Sequence, residues 1–468
     1  MNIYLIAVVT YLVIMALIGV YFAKTSVKNN DDFMVAGRRL PLFVVIGTLL
    51  ATFVGSGTVV GGASFIYQYG PFAAIFNLSG GFIGAIILYF IAGKVRASGA
   101  YTVPQLLEKR FGMSTRLLAS IFILFAYVGI TAYQFTGGAY VLQLTTGIPL
   151  EVGAIIMCFL VIFLTMSGGL FSVAYSDALS AVLILIGFII GVPFALNSVG
   201  GFEGLAISLP EVTKTWNGGL SVPQLIGFFL PLFLLVLGDQ NMYQRFAAAK
   251  DEMVARKSTI GFVLANAVVI TLTIILATTA IVLFPDIEAD AAILTLAVKG
   301  VPLVVGLLIL CAAVAFLITT ATSYLLSASG NIVYDLFEVI RKNKEPLPEK
   351  KMLLYSRITV LLLGLLAYFL GQFFPDVLAI QMYSYTMYGA AITPAILAAV
   401  LWKGATKAGV LSSIITGGSA TILWEIILSR PMDWNSVLFA LPLSVIALVG
   451  VSLLTQKKNS HTDSPGIN

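Results

Sequence analysis

Residues 51–58 read Ala-Thr-Phe-Val-Gly-Ser-Gly-Thr and lie in the middle of an apolar segment that runs from 41 to 67. A helix of that length is sufficient to cross the hydrocarbon core of a bilayer. Gly55 and Gly57 each weaken a helix by about 1 kcal/mol relative to alanine, so the sequence predicts an unwound stretch near the middle of the membrane. Carbonyl groups freed there could bind an ion or a solute. Close packing against another helix is the alternative explanation of the small residues.

The composition places the whole chain in a membrane. Of its 468 residues, 59% are hydrophobic and 10% are charged, which would leave a soluble protein with an apolar surface. Lipid offers the backbone no hydrogen-bond partners, so the spanning segments are predicted to be helices. Apolar runs bounded by charges, Pro and Gly predict thirteen of them, at 3–23, 41–67, 71–93, 117–146, 149–167, 174–195, 221–242, 259–284, 302–334, 358–374, 377–402, 405–427 and 436–455.

The charged residues predict the orientation. No positive charge precedes the first segment, and Lys24 and Lys28 follow it, which argues against a cleaved signal peptide. Thirteen crossings from an outside N-terminus put the C-terminus in the cytoplasm, and 23 of the 26 Lys and Arg residues then lie in cytoplasmic loops. The exceptions are Lys214, Lys299 and Arg430. This bias predicts a multi-pass protein of the plasma membrane, with a short disordered tail at 456–468.

Several kinds of chemistry lack the residues they require. His461 is the only histidine and lies in the polar tail, while Cys158 and Cys311 lie inside apolar segments without a metal-type spacing. A zinc site, serine-histidine catalysis and a histidine proton relay are therefore not predicted, and we expect both thiols to be reduced. The chain is not expected to be an enzyme. Its expected partners are a small solute and the lipid bilayer, with no nucleic acid and no obligate protein partner.

The ninth segment is rich in hydroxyl groups. Four of them occupy five consecutive positions: Thr319, Thr320, Thr322 and Ser323. At 3.6 residues per turn they lie within an arc of about 160°, so their oxygens could converge on one side of the helix. The polar stripe continues through Ser327 and Asn331 and could line an aqueous exit. The alternative is that each hydroxyl donates to the carbonyl four residues earlier in its own helix.

Two carboxylates are predicted to lie within the spans. Asp177 is about one turn into the sixth segment, where the sequence offers no Lys or Arg at the same depth. Because a charge in the bilayer needs a partner, a bound cation is the simplest one; a position at the inner interface, in contact with water, is the alternative. Asp239 could line a cavity or could end its helix near Arg245.

Five stretches of the chain resemble the sodium/solute symporter family, which includes bacterial proline, galactose, sialic acid and pantothenate carriers. They are 31–41, 51–61, 168–177, Gln244-Arg245 with Ala248 and Lys250, and the ninth segment through Asp335. The resemblance implies an all-α polytopic fold with a LeuT-type core of two inverted five-helix repeats. It also implies three parts: an extra N-terminal helix and cytoplasmic loop at 1–40, the ten-helix transport core at 41–402, and two C-terminal helices with a tail at 403–468.

The resemblance further implies particular site residues. The family's main sodium site falls on carbonyls of Ala51, Val54 and Phe316 and on hydroxyls of Thr319 and Thr320. A second sodium site like that of the sialic acid carriers would use Asp177, Thr319, Thr322 and Ser323. The solute is expected beside the main ion, with candidate contacts at Gly55, Ser56, Gly57, Thr58, Asn77, Tyr133, Gln134, Asp239 and Tyr385. Thr58, Asn77 and Asp239 replace the glutamine, glutamate and asparagine of the galactose carriers, which disfavours a sugar.

The sequence therefore predicts a secondary active transporter that imports a small polar organic solute together with sodium, by alternating access. Sodium is the expected bound ion, and coupling to one or to two ions is left open. Two alternatives remain, a symporter that couples to protons through Asp177 and a membrane sensor that binds a solute without transporting it. A channel is less consistent with a broken helix at mid-membrane.

Overall fold

The computed structural model describes residues 3–26, 30–167, 169–337, 339, 341 and 349–456. Within these ranges the chain is 87% helical and contains no β-strand. The principal helices, in chain order, are α1 (Ile3–Ser26), α2 (Leu42–Phe53), α3 (Gly57–Tyr69), α4 (Pro71–Ser98), α5 (Val103–Phe111), α6 (Met113–Thr146), α7 (Leu150–Ser167), α8 (Leu170–Ser198), α9 (Val222–Gly238), α10 (Gln240–Ala248), α11 (Glu252–Leu283), α12 (Leu303–Phe337), α13 (Glu349–Gly371), α14 (Val377–Ala391), α15 (Thr393–Leu401), α16 (Lys407–Ile427) and α17 (Val437–Thr455).

The described residues contain ten helices that are long and apolar enough to cross a membrane. The pair α2 and α3, bent by 54°, forms an eleventh candidate span. Two shorter apolar stretches, Ile3–Ile18 and Leu150–Met166, lie in the first and fifth predicted segments. A helix thus stands at each predicted position, and the total of thirteen crossings stays a prediction. The predicted tail falls almost entirely on residues 457–468, which lie outside the described ranges.

The predicted break in the second segment is present. The backbone leaves the helix after Phe53, and Val54 has a ψ of 88°. The N–H of Gly55 donates to the carbonyl of Phe53 at 3.1 Å, so it does not continue the i−4 pattern of α2. A methyl group on Gly55 would lie 2.6 Å from Thr320 Oγ1, and one on Gly57 would clash with the Tyr385 hydroxyl. These glycines therefore serve both the unwinding and the close packing that the sequence suggested.

A second break separates α9 from α10. Asp239 has a ψ of 118°, and its carboxylate accepts the N–H of Asn241 at 3.1 Å, which caps α10. The breaks lie in the second and seventh predicted segments, the first helix of each expected five-helix repeat. Discontinuous helices at corresponding positions of two repeats are typical of transporters with a midplane binding site.

All nine residues of α10 are buried, although several are polar. The sequence assigned Arg245 to a cytoplasmic loop, and that assignment is wrong because the side chain is completely buried. The segment just after α10 is anchored to the start of α2: Leu40 N–H donates to Ala248 O at 3.0 Å, and Lys250 N–H donates to Leu40 O at 3.1 Å. The two broken helices are thereby joined through their backbones at one side of the membrane.

Helix α12 lies at the centre of the fold and packs against α2, α6, α8 and α13. Its residues from Ala312 to Leu325 are all buried. Both cysteines are free thiols, as expected. Across the part of the chain that the structure describes, no group of three or more His, Cys, Asp or Glu side chains is placed to hold a metal ion.

Candidate functional site

The helix break redirects two backbone N–H groups and thereby frees two carbonyl groups. In an uninterrupted helix, Gly55 and Ser56 would donate to Ala51 and Thr52. Gly55 N–H instead donates to Phe53 O, and Ser56 N–H donates to Gln134 Oε1 at 2.9 Å. The carbonyl oxygens of Ala51 and Thr52 therefore face α12 rather than their own helix.

Two threonine hydroxyls of α12 meet these carbonyls. Thr320 Oγ1 lies 3.2 Å from Ala51 O and 3.1 Å from Thr52 O. Thr319 Oγ1 lies 3.0 Å from Ala51 O and 3.2 Å from Phe316 O. The structure thus brings together four of the five residues expected for the main sodium site, and Val54 follows directly at the break. It also shows the alternative bond, because Thr319 Oγ1 lies 2.8 Å from Ala315 O, four residues earlier.

Two carbonyls at this point have lost their helical N–H donors and face hydroxyl oxygens instead. The carbonyls of Ala315 and Phe316 accept N–H groups inside α12, whereas, among the described residues, Ala51 O and Thr52 O are met only by the hydroxyls of Thr319 and Thr320. Hydroxyl and carbonyl oxygens that converge in this way can also coordinate a hard cation, because such ions prefer oxygen ligands. The arrangement suits a cation without requiring a carboxylate among its ligands. We infer a cation site from this donor set.

Asp177 has a cationic partner, contrary to the expectation from sequence. Its Oδ2 accepts hydrogen bonds from Thr48 at 2.7 Å and Thr52 at 3.3 Å, and lies 3.6 Å from Arg245 Nη2. The expectation failed because Arg245 was placed in a loop, whereas the break before α10 carries it into the membrane-embedded core. Asp177 is 1% exposed and lines a small cavity, so its carboxylate does not face bulk water.

Three of the four residues expected for a second sodium site line the same cavity, and the fourth does not. Asp177, Thr319 and Thr322 line one cavity of about 70 Å³ between α1, α8 and α12. Ser323 instead accepts a hydrogen bond from Arg245 Nη2 at 2.8 Å. Thr322 donates to Ile318 O at 2.8 Å within its own helix. The cavity therefore has a carboxylate and two threonine hydroxyls on its walls.

Several of the expected solute contacts form a connected polar cluster at the break. Ser56 Oγ donates to Tyr133 O at 3.2 Å, and the Tyr133 hydroxyl donates to that of Tyr385 at 3.2 Å. Gln134 Nε2 is buried and has no hydrogen-bond partner among the described residues. Gly55 and Gly57 lie against this cluster. An unpaired buried donor beside a helix break is suited to bind an acceptor atom of a solute.

The remaining candidate solute contacts are not hydrogen-bonded to this cluster through their side chains among the described residues. Thr58 and Asn77 are buried, and no side-chain hydrogen bond among the described residues joins them to the cluster. Asp239 ends α9 and caps α10, and its carboxylate also accepts the hydroxyls of Tyr127 at 2.5 Å and Tyr324 at 2.8 Å. Sequence reasoning missed these two tyrosines, although Tyr324 follows Thr320 by four residues and so extends the same helix face.

The polar stripe of α12 is covered by α10. Besides the bond from Arg245 to Ser323, Ser327 Oγ lies 2.7 Å from Asn241 Oδ1 and 2.6 Å from Gln244 Oε1, so its one proton is donated to either of them. Gln240 Nε2 donates to Asn331 Oδ1 at 2.8 Å. An exit along this stripe is closed in the structure, and the stripe's role as an aqueous path stays a prediction that requires α10 to move away.

At the opposite side of the membrane, Asp290 joins a loop to α14. Its Oδ2 accepts the N–H of Val377, the first residue of α14, at 2.9 Å. Burial raises the pKa of Asp290 from its ordinary value of 3.8 to about 6, although the hydrogen bond from Val377 opposes that shift. This contact ties the loop to α14 on the side that faces away from the stripe, and a loop position gave the sequence analysis no periodicity from which to find it.

Comparison with known proteins gives consistent results. The family model of the sodium:solute symporter family matches residues 33–417. Sodium/proline symporters of Staphylococcus aureus strains JH9 and NCTC 8325 are each 27% identical over 98% of this chain and 94% of the relative.

Solved structures are similar over nearly the full length. A Na⁺-coupled sialic acid symporter in a substrate-bound outward-open state has a TM-score of 0.82 and 18% identity, covering 97% of this chain and 98% of that one. A nucleobase-cation-symport-1 family transporter in a closed conformation has a TM-score of 0.62 and 14% identity, covering 91% and 96%. The expected all-α, LeuT-type fold is thereby confirmed.

Proposed function

Because the chain belongs to the sodium:solute symporter family, we propose that it is a secondary active transporter that imports a small polar organic solute together with sodium by alternating access. The observation that carries this proposal is the meeting of the freed carbonyls of Ala51 and Thr52 with the hydroxyls of Thr319 and Thr320. Sodium is the coupling ion that fits a ring of neutral oxygens. Its ligands are the carbonyls of Ala51, Val54 and Phe316 and the two hydroxyls.

The solute binds beside this ion, at the broken helix. Gln134, Tyr133 and Tyr385 supply neutral polar groups there, and the buried amide of Gln134 has a free donor. The nearby carboxylate of Asp239 is already engaged by Tyr127 and Tyr324. This setting favours a neutral or zwitterionic solute. The relatives that are sodium/proline symporters make L-proline the first compound to test.

Contacts on both sides of the candidate site support alternating access. The contacts of α10 with the stripe close one side, and the contact of Asp290 with Val377 helps to close the other. The side of α10 carries the loops rich in Lys and Arg, so we place it in the cytoplasm of a plasma-membrane protein with an outside N-terminus. The transport core comprises residues 41–402, with the flanking helices at 1–40 and 403–468.

The number of coupled ions bears on the driving force. The cavity lined by Asp177, Thr319 and Thr322 supports a second sodium site. The contact with Arg245, however, gives the carboxylate of Asp177 a positively charged partner even without a second sodium ion. Each cation that crosses through about 100 mV contributes about 2.3 kcal/mol. A reversal-potential measurement gives the ratio of sodium to solute, and a ratio of one would exclude coupling to a second ion.

The proposal is tested by counterflow in proteoliposomes. Purified protein is reconstituted, and entry of labelled L-proline and a panel of other small polar solutes is measured with a sodium gradient, a proton gradient or neither. Saturable, sodium-dependent accumulation of one solute is expected. Accumulation driven by protons alone would support the proton-coupled alternative. Saturable binding without any accumulation would instead support a sensor.

A further inference from the structure

A small cavity lined by both apolar and polar residues lies beside the candidate ion site. Its walls are α1, α7, α8 and α12, and its volume is about 70 Å³. A cavity needs only about 10–15 Å³ to hold one water, so several waters fit. Resting on the proposed sodium symport, we propose that sodium leaves through this cavity and the solute leaves along the stripe under α10, with helix α1 as the cover of the ion path.

The cavity connects the ion site to the end of α8. Thr319, a candidate ligand of the main ion, lies on its wall together with Thr322. From there the polar side chains continue along α8, through Asp177 and Ser176 to Ser172, which is two residues from the start of the helix. That end of α8 lies on the basic side, where the guanidinium of Arg39 stacks over the ring of Phe171. A cation can therefore pass from oxygen to oxygen towards the side where we place the cytoplasm.

Electrostatics separates the two routes. The buried guanidinium of Arg245 donates to Ser323 of the stripe at 2.8 Å, whereas towards the small cavity it is paired with the carboxylate of Asp177 at 3.6 Å. A fixed positive charge within the bilayer repels sodium strongly. The small cavity has no Lys or Arg among its lining residues and includes Asp177. The contacts of that carboxylate with Thr48, Thr52 and Arg245 all use Oδ2, which leaves Oδ1 for a cation in the cavity.

Helix α1 forms one wall of the cavity. Tyr11, Met15, Ala16 and Val20 line it, and the hydroxyl of Tyr11 hydrogen-bonds to Ser180 Oγ at 2.9 Å. An apolar cavity of about 590 Å³ between α1, α6 and α7 shares lining residues with the small one, so α1 does not fill the space beside it. A small displacement of α1 would open the ion path without breaking an ion pair among the described residues.

The test measures access by cysteine labelling from the cytoplasmic side. In a background with Cys158→Ser and Cys311→Ser, Ser176→Cys reports the ion path and Ser327→Cys reports the stripe. Ser329→Cys is the matched control, because Ser329 faces α13 and donates to Ser356 O. We expect a cationic methanethiosulfonate to label Ser176→Cys at least five times faster than an anionic one. At Ser327→Cys, which lies beside Arg245, the cationic reagent should not react faster than the anionic one.

A second variant tests whether helix α1 covers the ion path. Tyr11→Ala is expected to accelerate labelling of Ser176→Cys at least threefold and to leave Ser327→Cys unchanged. Tyr4→Ala, which removes the hydroxyl that bonds to Val298 O near the other end of α1, is the control and should change neither rate. The milder variant Tyr11→Phe removes only the hydroxyl that bonds to Ser180. An unchanged labelling rate of Ser327→Cys indicates that a variant remains folded.

The outcomes distinguish this route from the transport proposal. If Ser176→Cys stays unreactive even with Tyr11→Ala, or if Tyr11→Ala accelerates both cysteines equally, sodium does not have a path of its own under α1. Labelling does not require transport, so a parent protein without sodium-dependent uptake would contradict the proposed function and leave the access measurements interpretable. The expected pattern in a transporting parent supports separate exits.

Discussion

The Nη2 atom of Arg245 lies 3.6 Å from Oδ2 of Asp177, and both side chains are buried in the core of the transporter. The two residues come from α10 and α8, and Thr48 of α2 bridges them by donating to Asp177 and accepting from Arg245 Nε. This pair links both broken spans to α8 next to the candidate ion site. It leads to the first prediction.

Removing either charge of this pair is expected to destabilise the protein strongly. A buried ion left without its partner costs about 3–5 kcal/mol, so Asp177→Asn and Arg245→Gln should each lower the unfolding midpoint by several degrees. The double variant should lose less than the sum of the two. Thermal unfolding of the four purified proteins gives the coupling energy. Additive losses would show that the 3.6 Å contact has no energetic role.

The second prediction concerns the main ion site. Thr319→Ala and Thr320→Ala each remove one of about five oxygen ligands without leaving a buried charge. At about 1–2 kcal/mol per ligand, the sodium concentration for half-maximal uptake should rise roughly 5–30-fold. Thr278→Ala is the matched control, because Thr278 is a buried threonine that donates only to Ile274 O of its own helix. Sodium dependence equal to wild type at normal membrane abundance would remove that residue from the ligands.

The third prediction is a pH dependence at the opposite side. Folding raises the pKa of Asp290 from 3.8 to about 6, so the folded state holds the proton more tightly than the unfolded state. The resulting stabilisation is complete below pH 4 and is lost as the pH rises through about 6, by roughly 1–3 kcal/mol in total. Unfolding midpoints between pH 4.5 and 7.5 should fall with pH in the wild type.

Asp290→Asn keeps the acceptor for Val377 but cannot ionise, so it should flatten this slope. Asp286→Asn is the control, because Asp286 is an exposed carboxylate of the same loop. Parallel curves for wild type and Asp290→Asn would assign the pH dependence to other groups.

The fourth prediction concerns the closure of the stripe. Cysteines at Ser323, Ser327 and Asn331 should react with cytoplasmic thiol reagents only when α10 has moved away, and sodium should slow all three by favouring the outward-facing state. Gln240→Ala removes the hydrogen bond to Asn331 and should accelerate labelling several-fold. Reactivity only from the outside would contradict an inward exit along α12.

The sequence predicted the features that depend on local pattern. Glycines at Gly55 and Gly57 indicated the broken helix, and helical periodicity placed Thr319 and Thr320 on one face. It missed the position of Arg245, because the positive-inside bias assigns a basic residue after a span to a loop. What buries that guanidinium is a set of acceptors from α2, α8, α10 and α12, and no local pattern encodes contacts between helices so distant in the chain.

The backbone link between Leu40 and the end of α10 has a mechanical consequence. Because Leu40 bonds to Ala248 and Lys250 on either side of Ala249, α10 cannot swing away from the stripe without pulling on the start of α2. The far end of α2 carries Ala51, whose carbonyl faces the candidate ion site. A movement of α10 that opens the stripe would therefore displace this carbonyl through two backbone hydrogen bonds, so opening of the stripe and the geometry of the ion site are expected to change together.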